Sequence, residues 1–150
     1  MELSSVLQVI GVAALPVVET RGAVPMGILK GLSPAYAILF AAAGSLLPVI
    51  PLYYVFSPVG GKIRNLPVLS KVFTILENNA RKKGDAIQKW ESLGLFLFVA
   101  VPLPMTGVWT GTVAASLLGI RIGYALVSIS LGSLASGMIV AMITNGVLAL

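Results

Sequence analysis

The sequence predicts an all-α integral membrane protein made of two inverted repeats, which a basic linker joins. Three observations favour this class: an apolar composition, four long apolar stretches of which two are broken, and a likeness between the two halves. Hydrophobic residues make up 57% of the 150 positions and charged residues only 10%, whereas a soluble domain carries about 25% charged residues. One small core cannot bury so many apolar side chains, so we expect lipid to cover much of the surface.

The same composition excludes several kinds of chemistry. The chain has no cysteine and no histidine, so disulfides, thiolate metal sites and imidazole bases are excluded. Among its five acidic residues only Glu19 lies within an apolar stretch, and paired-carboxylate catalysis needs two acids that face each other. No serine stands in a nucleophile-elbow sequence. We therefore expect no enzyme, no metal and no cofactor.

Two of the four apolar stretches are predicted to be ordinary transmembrane helices, at residues 34–57 and 122–147. A membrane-spanning helix needs about 20 apolar residues, and both stretches are long enough. Pro48 and Pro51 are expected to kink the first of them, because proline removes a hydrogen-bond donor and clashes with the preceding turn.

The other two stretches are broken near their centres, and we expect each to form a re-entrant hairpin, at residues 3–31 and 93–118. The breaks have the sequences Pro-Val-Val-Glu-Thr-Arg-Gly-Ala-Val-Pro at 16–25 and Pro-Leu-Pro-Met-Thr-Gly-Val-Trp-Thr-Gly at 102–111. Broken backbone at membrane depth is tolerated only where protein or a water-filled cavity satisfies it. A half-helix over 4–17 would be about 20 Å long, which reaches the bilayer centre and no further.

The two halves of the chain match when one is shifted by 88 residues. Nine identities then fall between residues 12–58 and 100–146, and three of them are Gly44/Gly132, Ser45/Ser133 and Leu46/Leu134. Each half has a broken hairpin, a short turn with glycine and an intact span. The sequence therefore predicts a first repeat at 1–58 and a second at 93–150.

Residues 59–92 form the predicted linker, which carries most of the basic residues of the chain. Its apolar positions have helical spacing, so we expect a basic amphipathic helix on the membrane surface. In a membrane protein a basic loop indicates the cytoplasmic side rather than a nucleic-acid partner. We expect a multi-pass protein of the cytoplasmic membrane with this linker inside.

Two topologies agree with the charge distribution. If the broken segments are re-entrant, each half crosses the membrane once, and both termini lie outside. If they span the membrane fully, the chain crosses four times and the termini share the side of the linker. Inverted repeats whose broken helices meet at the midplane are typical of transporters, and they favour the first topology.

Glu19 and Arg21 are the leading candidates for a functional site. A charge at the bilayer centre costs at least about 2.5–3.5 kcal/mol, and intramembrane ionisable residues indicate function by default. Arg21 matches a phosphate or carboxylate with two parallel hydrogen bonds. Glu19 is a candidate proton carrier, or a counter-ion that releases Arg21 when an anion arrives. The structural alternative is a salt bridge between the two that only fixes the hairpin turn.

The second hairpin adds further candidate substrate-binding residues. The half-helices expected from Gly22 to Lys30 and from Gly107 to Leu118 direct their N-termini at the membrane centre, where N–H groups suit an anion. Thr106 and Thr110 offer hydroxyl donors, and Trp109 offers a large amphipathic side chain against which a substrate can pack. Alternatively, the threonines satisfy broken backbone groups and Trp109 serves packing.

The two broken motifs resemble those of the small multidrug export protein family, over essentially the whole chain. That family is more distantly similar to the DedA (VTT-domain) membrane proteins, which have paired re-entrant hairpins. The DedA resemblance implies transport of polyprenyl phosphate carrier lipids or proton-dependent drug tolerance, with Glu19 at the position of the DedA acidic residue. The chain differs from DedA proteins at Thr106, Trp109 and Thr110, where those proteins carry arginine.

Three functions follow as hypotheses. The leading one is a flippase that holds a polyprenyl phosphate head between the two hairpins, with undecaprenyl phosphate as the lipid in a bacterium and a dolichyl-type phosphate in an archaeon. The second is a proton-coupled exporter of lipophilic small molecules through Glu19. The third is a membrane scaffold that transports nothing. Small-residue helix faces are compatible with a homodimer under each hypothesis.

Overall fold

The fold is that of a computed structural model, which describes residues 3–57, 85–103 and 106–149, and of residues 85–88 the backbone alone. The predicted linker helix and the second proline of the second break therefore lie outside the described residues. Every regular element in the described ranges is an α-helix. They are α1 (Leu3–Ala13), α2 (Glu19–Leu29), α3 (Pro34–Leu46), α4 (Val49–Phe56), α5 (Asp85–Ala100), α6 (Val108–Leu118) and α7 (Ile122–Leu148).

The all-α prediction is confirmed for the described residues, and two segments are long and apolar enough to cross a membrane. They are Pro34–Phe56, with a mean hydropathy of 1.9, and α7, with a mean hydropathy of 2.0. Only about a third of each is buried inside the protein. Many of their apolar side chains thus lie on the outside, as expected where lipid is the solvent.

Pro48 divides the first of these segments into α3 and α4, as the sequence predicts. The Leu47 N–H bonds the Gly44 carbonyl at 3.2 Å, which is the tighter i to i+3 pattern. Pro51 lies in the first turn of α4, where a helix needs no N–H donor. Pro51 is therefore accommodated in the first turn of α4 without bending the helix.

The break in the first hairpin differs from its prediction in two respects, of which the first is that α1 ends at Ala13 instead of at residue 17. Helix α2 begins at Glu19 instead of at Gly22, so Glu19 and Arg21 lie in its first turn and not in an extended segment before it. Helix α5 likewise begins at Asp85, upstream of the boundary predicted at residue 93. Helix α6 begins directly after Gly107, as expected.

Helix packing places the two breaks side by side. Helices α1, α2 and α3 pack on one another, α5 packs on α7, and α4 packs on α6. Helices α2 and α3 also contact α7, which joins these groups. The apolar core has two clusters, one between α1, α2 and α3 and the other between α4, α5, α6 and α7.

Two glycines allow helix backbones to approach closely, and they occupy matching positions. A methyl group on Gly44 of α3 would overlap the backbone of Ile10 in α1. A methyl group on Gly132 of α7 would lie 3.0 Å from the Phe96 carbonyl oxygen of α5. Small residues permit such packing in lipid, so α1 meets α3 much as α5 meets α7.

Helices α2 and α6 end with the same hydrogen-bonded turn. The Leu32 N–H bonds the Gly27 carbonyl, and the Ile120 N–H bonds the Ala115 carbonyl, each at 3.0 Å. The glycines Gly31 and Gly119 precede these donors with φ of +84° and +70°, as a Schellman motif requires. In each half the chain can then turn at once into the next helix.

Candidate functional site

The Glu19 carboxylate lies at the N-terminus of α6, in the other half of the chain. It accepts hydrogen bonds from the backbone N–H groups of Val108 at 3.3 Å and Trp109 at 3.0 Å. The first N–H groups of a helix have no partner within it and carry a partial positive charge. Gly107 has no side chain with which to cap α6, so Glu19 serves as the cap in its place.

Gly107 makes this contact possible. Its φ is +143°, which L side chains rarely adopt, and a methyl group there would overlap the Glu19 carboxylate. The carboxylate therefore lies directly against the Gly107 backbone, and Glu19 is only 6% exposed. Glycine is needed at this position both for the turn and for the approach of the acid.

Glu19 itself has a strained backbone. It is the one residue other than glycine among the described residues that has a positive φ, at +45°. Such a conformation costs about 1–3 kcal/mol and persists only where the surroundings enforce it. Here the two hydrogen bonds to α6 hold the side chain, and the strain indicates that the position of this carboxylate matters.

Arg21 contacts the second break at another point. Its guanidinium Nη2 donates to the Thr106 carbonyl oxygen and to Thr106 Oγ1, which is 3.0 Å away. Both acceptors are neutral. Among the described side chains no carboxylate forms an ion pair with Arg21, because Glu19 binds the α6 backbone instead. The salt bridge considered as an alternative is therefore not how this structure fixes the turn.

Thr106 is held by its own loop. Its hydroxyl lies 2.8 Å from the carbonyl oxygens of both Val101 and Leu103, and it accepts the Leu103 N–H at 3.2 Å. The hydroxyl proton is thus engaged with the backbone, as expected where side chains satisfy a broken helix. Thr106 offers the site an oxygen acceptor rather than a free donor.

Trp109 connects the two breaks a second time. Its indole N–H donates to the Ala14 carbonyl at 3.2 Å, and its backbone N–H donates to Glu19. The structure thus brings the candidates Glu19, Arg21, Thr106 and Trp109 together.

Gly22 and Thr110, the two remaining candidates, do not contact these four residues through the bonds described. The Gly22 N–H bonds the Val18 carbonyl, and a methyl group on Gly22 would overlap the Val18 side chain, so glycine is required for packing of the turn. Thr110 is exposed, and its hydroxyl faces the Gly107 carbonyl at 3.4 Å. Their roles in substrate binding stay predictions.

A chain of buried hydroxyls beside Glu19 was not expected as part of the site. Thr20 Oγ1 lies 3.1 Å from Ser133 Oγ, which lies 3.0 Å from Ser45 Oγ. The Ser45 hydroxyl donates to the Ala42 carbonyl at 2.9 Å. Because the Ser45 hydroxyl proton is used in that bond, Ser45 Oγ accepts from the Ser133 hydroxyl, and Ser133 Oγ accepts from the Thr20 hydroxyl. The sequence signal was present, since Ser45 and Ser133 match in the shift of 88 residues.

These groups line a narrow polar cleft between α2, α6 and α7. Its walls include Glu19, Thr20, Arg21, Gly107 and Ser133. The cleft is too narrow to admit a water-sized sphere, so this conformation is closed.

Comparison with known proteins identifies the family. The sequence model of a family described as "Putative small multi-drug export protein" matches residues 19–139, which begin at Glu19 within the first break and include the whole of the second. No curated protein matches the chain, and no solved structure matches it either. The family match covers well over half of the chain, and the chain therefore belongs to the small multi-drug export protein family.

Proposed function

We propose that this membrane protein transports an anionic amphiphile and that its substrate is a polyprenyl phosphate. One observation carries the proposal: among the described residues the guanidinium of Arg21 donates its hydrogen bonds to neutral Thr106 oxygens, while the Glu19 carboxylate is bound by the backbone N–H groups of α6. The site thus has a cation available for a ligand and no available anion.

The charge balance favours an anion over a lipophilic cation. A charge at membrane depth costs several kcal/mol, so an anionic ligand that pairs directly with Arg21 offsets part of that cost. The guanidinium can form two parallel hydrogen bonds to a phosphate. A cationic drug would meet Arg21 as a like charge, and Glu19 would first have to leave the α6 backbone.

We further propose the inverted-repeat arrangement with two re-entrant hairpins. It is supported by the matching Schellman turns at Gly31 and Gly119 and by the matching close contacts at Gly44 and Gly132. Helix α1 has 11 residues, and at 1.5 Å per residue it is about 16 Å long, half of a hydrocarbon core of about 30 Å. In this arrangement the linker is cytoplasmic and the termini are extracytoplasmic.

Protonation of Glu19 would couple transport to a proton gradient. A neutral carboxyl group interacts less favourably with the positive end of α6 than a carboxylate does. Loss of that charge weakens one of the contacts between the breaks and favours opening of the cleft. The proton would thus control access, while Arg21 binds the head.

The test is movement of a polyprenyl phosphate across proteoliposomes. We expect Arg21→Ala to abolish transport and Arg21→Lys to retain only part of it, since lysine lacks the planar pair of donors. Glu19→Gln should lose coupling to an imposed pH gradient. Lys30→Ala is the matched control, because Lys30 is an exposed cation at the end of α2, and it should transport normally.

Transport of the lipid by Arg21→Ala at the native rate would contradict the proposal. The second candidate, proton-coupled drug export, is favoured by the description of the family. It predicts exchange of lipophilic cations for protons that disappears in Glu19→Gln and survives in Arg21→Ala. A scaffold would show neither activity and would tolerate neutral substitution of both residues.

A further inference from the structure

Helix α6 carries two hollows on its outer surface that the site does not use. One, of about 400 Å³, is lined by Trp109, Thr110, Val113, Ala114 and Leu117. The other, of about 340 Å³, lies between α5 and α6 and is lined by Glu91, Gly94, Leu95, Phe98, Ala114, Leu118 and Ile120. Apart from Thr110 and Glu91, every lining residue is apolar or glycine.

Ala114 lines both hollows, which therefore adjoin each other, and we call the two together the α6 groove. Thr110, Ala114 and Leu118 are four residues apart and therefore lie in one row along the helix. The methyl side chain in the middle of this row keeps the surface low between the bulkier neighbours. A larger residue at Ala114 would divide the groove.

The α6 groove begins at the polar site. Trp109 forms its first wall, and the same residue donates its backbone N–H to Glu19 and its indole N–H to the Ala14 carbonyl. The indole ring is therefore fixed at the boundary between the two. From Trp109 to Leu118 the groove extends for about 14 Å at 1.5 Å per residue, close to half of a hydrocarbon core of about 30 Å.

We propose that the α6 groove holds the apolar chain of the transported amphiphile while Arg21 holds its anionic head. The inference rests on the proposed function and adds a subsite to it. A head at Arg21 places the first carbons of the chain beside Trp109, because that residue separates the cleft from the groove. Ala114 then determines how long a chain can lie along α6.

The experiment compares substrates that share a phosphate head and differ in chain length. Reconstituted protein is tested with geranyl, farnesyl and undecaprenyl phosphate as competing substrates in vesicles of one phospholipid composition. Ala114→Phe should weaken the long-chain substrates about fivefold, because the new side chain removes van der Waals contacts along α6 that bulk lipid only partly replaces. The shortest substrate should change by less than twofold.

Ala43→Phe is the matched control, because Ala43 is an exposed alanine on α3 that lines neither hollow. It should leave the preference for chain length unchanged. Ala114→Leu is the second variant and should show a smaller shift in the same direction, even if Ala114→Phe folds poorly.

Three results would overturn the inference. An equal loss for short and long chains in both Ala114 variants would show that the substitution disturbs the site itself. No change for any substrate would show that the groove meets only bulk lipid. A change of oligomeric state in detergent would identify the groove as a contact between two copies. If the native protein transports no phosphate lipid of any length, the proposed function fails instead.

Discussion

At the scale of the residue, the site depends on two unusual backbones that face each other. Glu19 has a left-handed conformation, and Gly107 has a φ that side chains avoid. The acid lies against the glycine, so neither can change without the other. This pair, rather than any single charged group, fixes the distance between the first and the second break.

Gly107→Ala should remove the Glu19 carboxylate from α6. The new methyl group would overlap that carboxylate, and the strain at φ of +143° adds to the effect. We expect a loss of about 2–4 kcal/mol in the free energy of unfolding, measured by thermal or denaturant unfolding in detergent, together with loss of transport.

Gly123→Ala is the control for this substitution, because nothing lies within 4 Å of a methyl group at Gly123. It should be neutral or slightly stabilising. Native stability in Gly107→Ala would show that the carboxylate can cap α6 from another position.

Sequence reasoning identified Glu19 and Arg21 from charge alone, since an ionisable residue in an apolar stretch needs a reason. It did not predict that the two point to different partners. That result depends on Gly107, because the Glu19 carboxylate packs directly against its backbone. The sequence alone does not reveal this contact. The hydroxyl of Thr106 was considered as a donor to a ligand, but it contacts backbone carbonyls of its own segment.

At the scale of the element, three helices meet through hydroxyls in place of apolar side chains. Thr20 of α2, Ser45 of α3 and Ser133 of α7 are each at most 3% exposed. In lipid the hydrophobic effect does not bring helices together, so such hydrogen bonds and close packing take its place. These three hydrogen-bonded hydroxyls lie next to Glu19 and orient the first turn of α2.

A double-mutant cycle should show that the contributions of Thr20 and Ser133 to the free energy of unfolding are coupled. Ser133→Ala leaves Thr20 and Ser45 with fewer partners and should reduce the free energy of unfolding by about 1–2 kcal/mol. Thr20→Val should cost a similar amount, and the double variant should cost clearly less than the sum of the two. Unfolding in detergent measures all three.

Ser130→Ala is the control on the same helix, since Ser130 is outside this hydroxyl chain. Additive losses in the double variant would mean that the two hydroxyls act independently.

The elements themselves were largely predictable, because proline and glycine determine where helices end. Pro48 and Gly119 are examples of such helix ends. The start of α5 at Asp85 could not be predicted, because the polar residues there resemble a linker.

At the scale of the whole molecule, the matching turns and glycine contacts follow the shift of 88 residues that the sequence shows. The Ser45 and Ser133 side chains, which that shift aligns, bond each other. Contact between equivalent positions is expected where two related halves meet near an axis of pseudo-symmetry. The order of helices could be predicted from the sequence, but the contact between the halves required coordinates.

Single cysteines at Glu2 and Lys82 should establish the topology. The chain has no native cysteine, so a membrane-impermeant maleimide reports each position without background. If the hairpins are re-entrant, the two positions label from opposite sides of intact vesicles. Labelling from the same side would mean that α1 and α2 together cross the membrane, and α5 and α6 likewise, which would contradict the inverted arrangement.

The cap that Glu19 places on α6 has a consequence for selectivity. The tethered Glu19 carboxylate competes with any incoming anion for the backbone N–H groups of Val108 and Trp109. Its effective concentration there is high, because it is part of the same chain. Chloride and other small monovalent anions form too few bonds to displace it. A phosphate monoester brings more oxygens and more charge, and Arg21 lies beside it. In the proposed transporter, the protein's own carboxylate would thus oppose the entry of small anions and so limit ion leak.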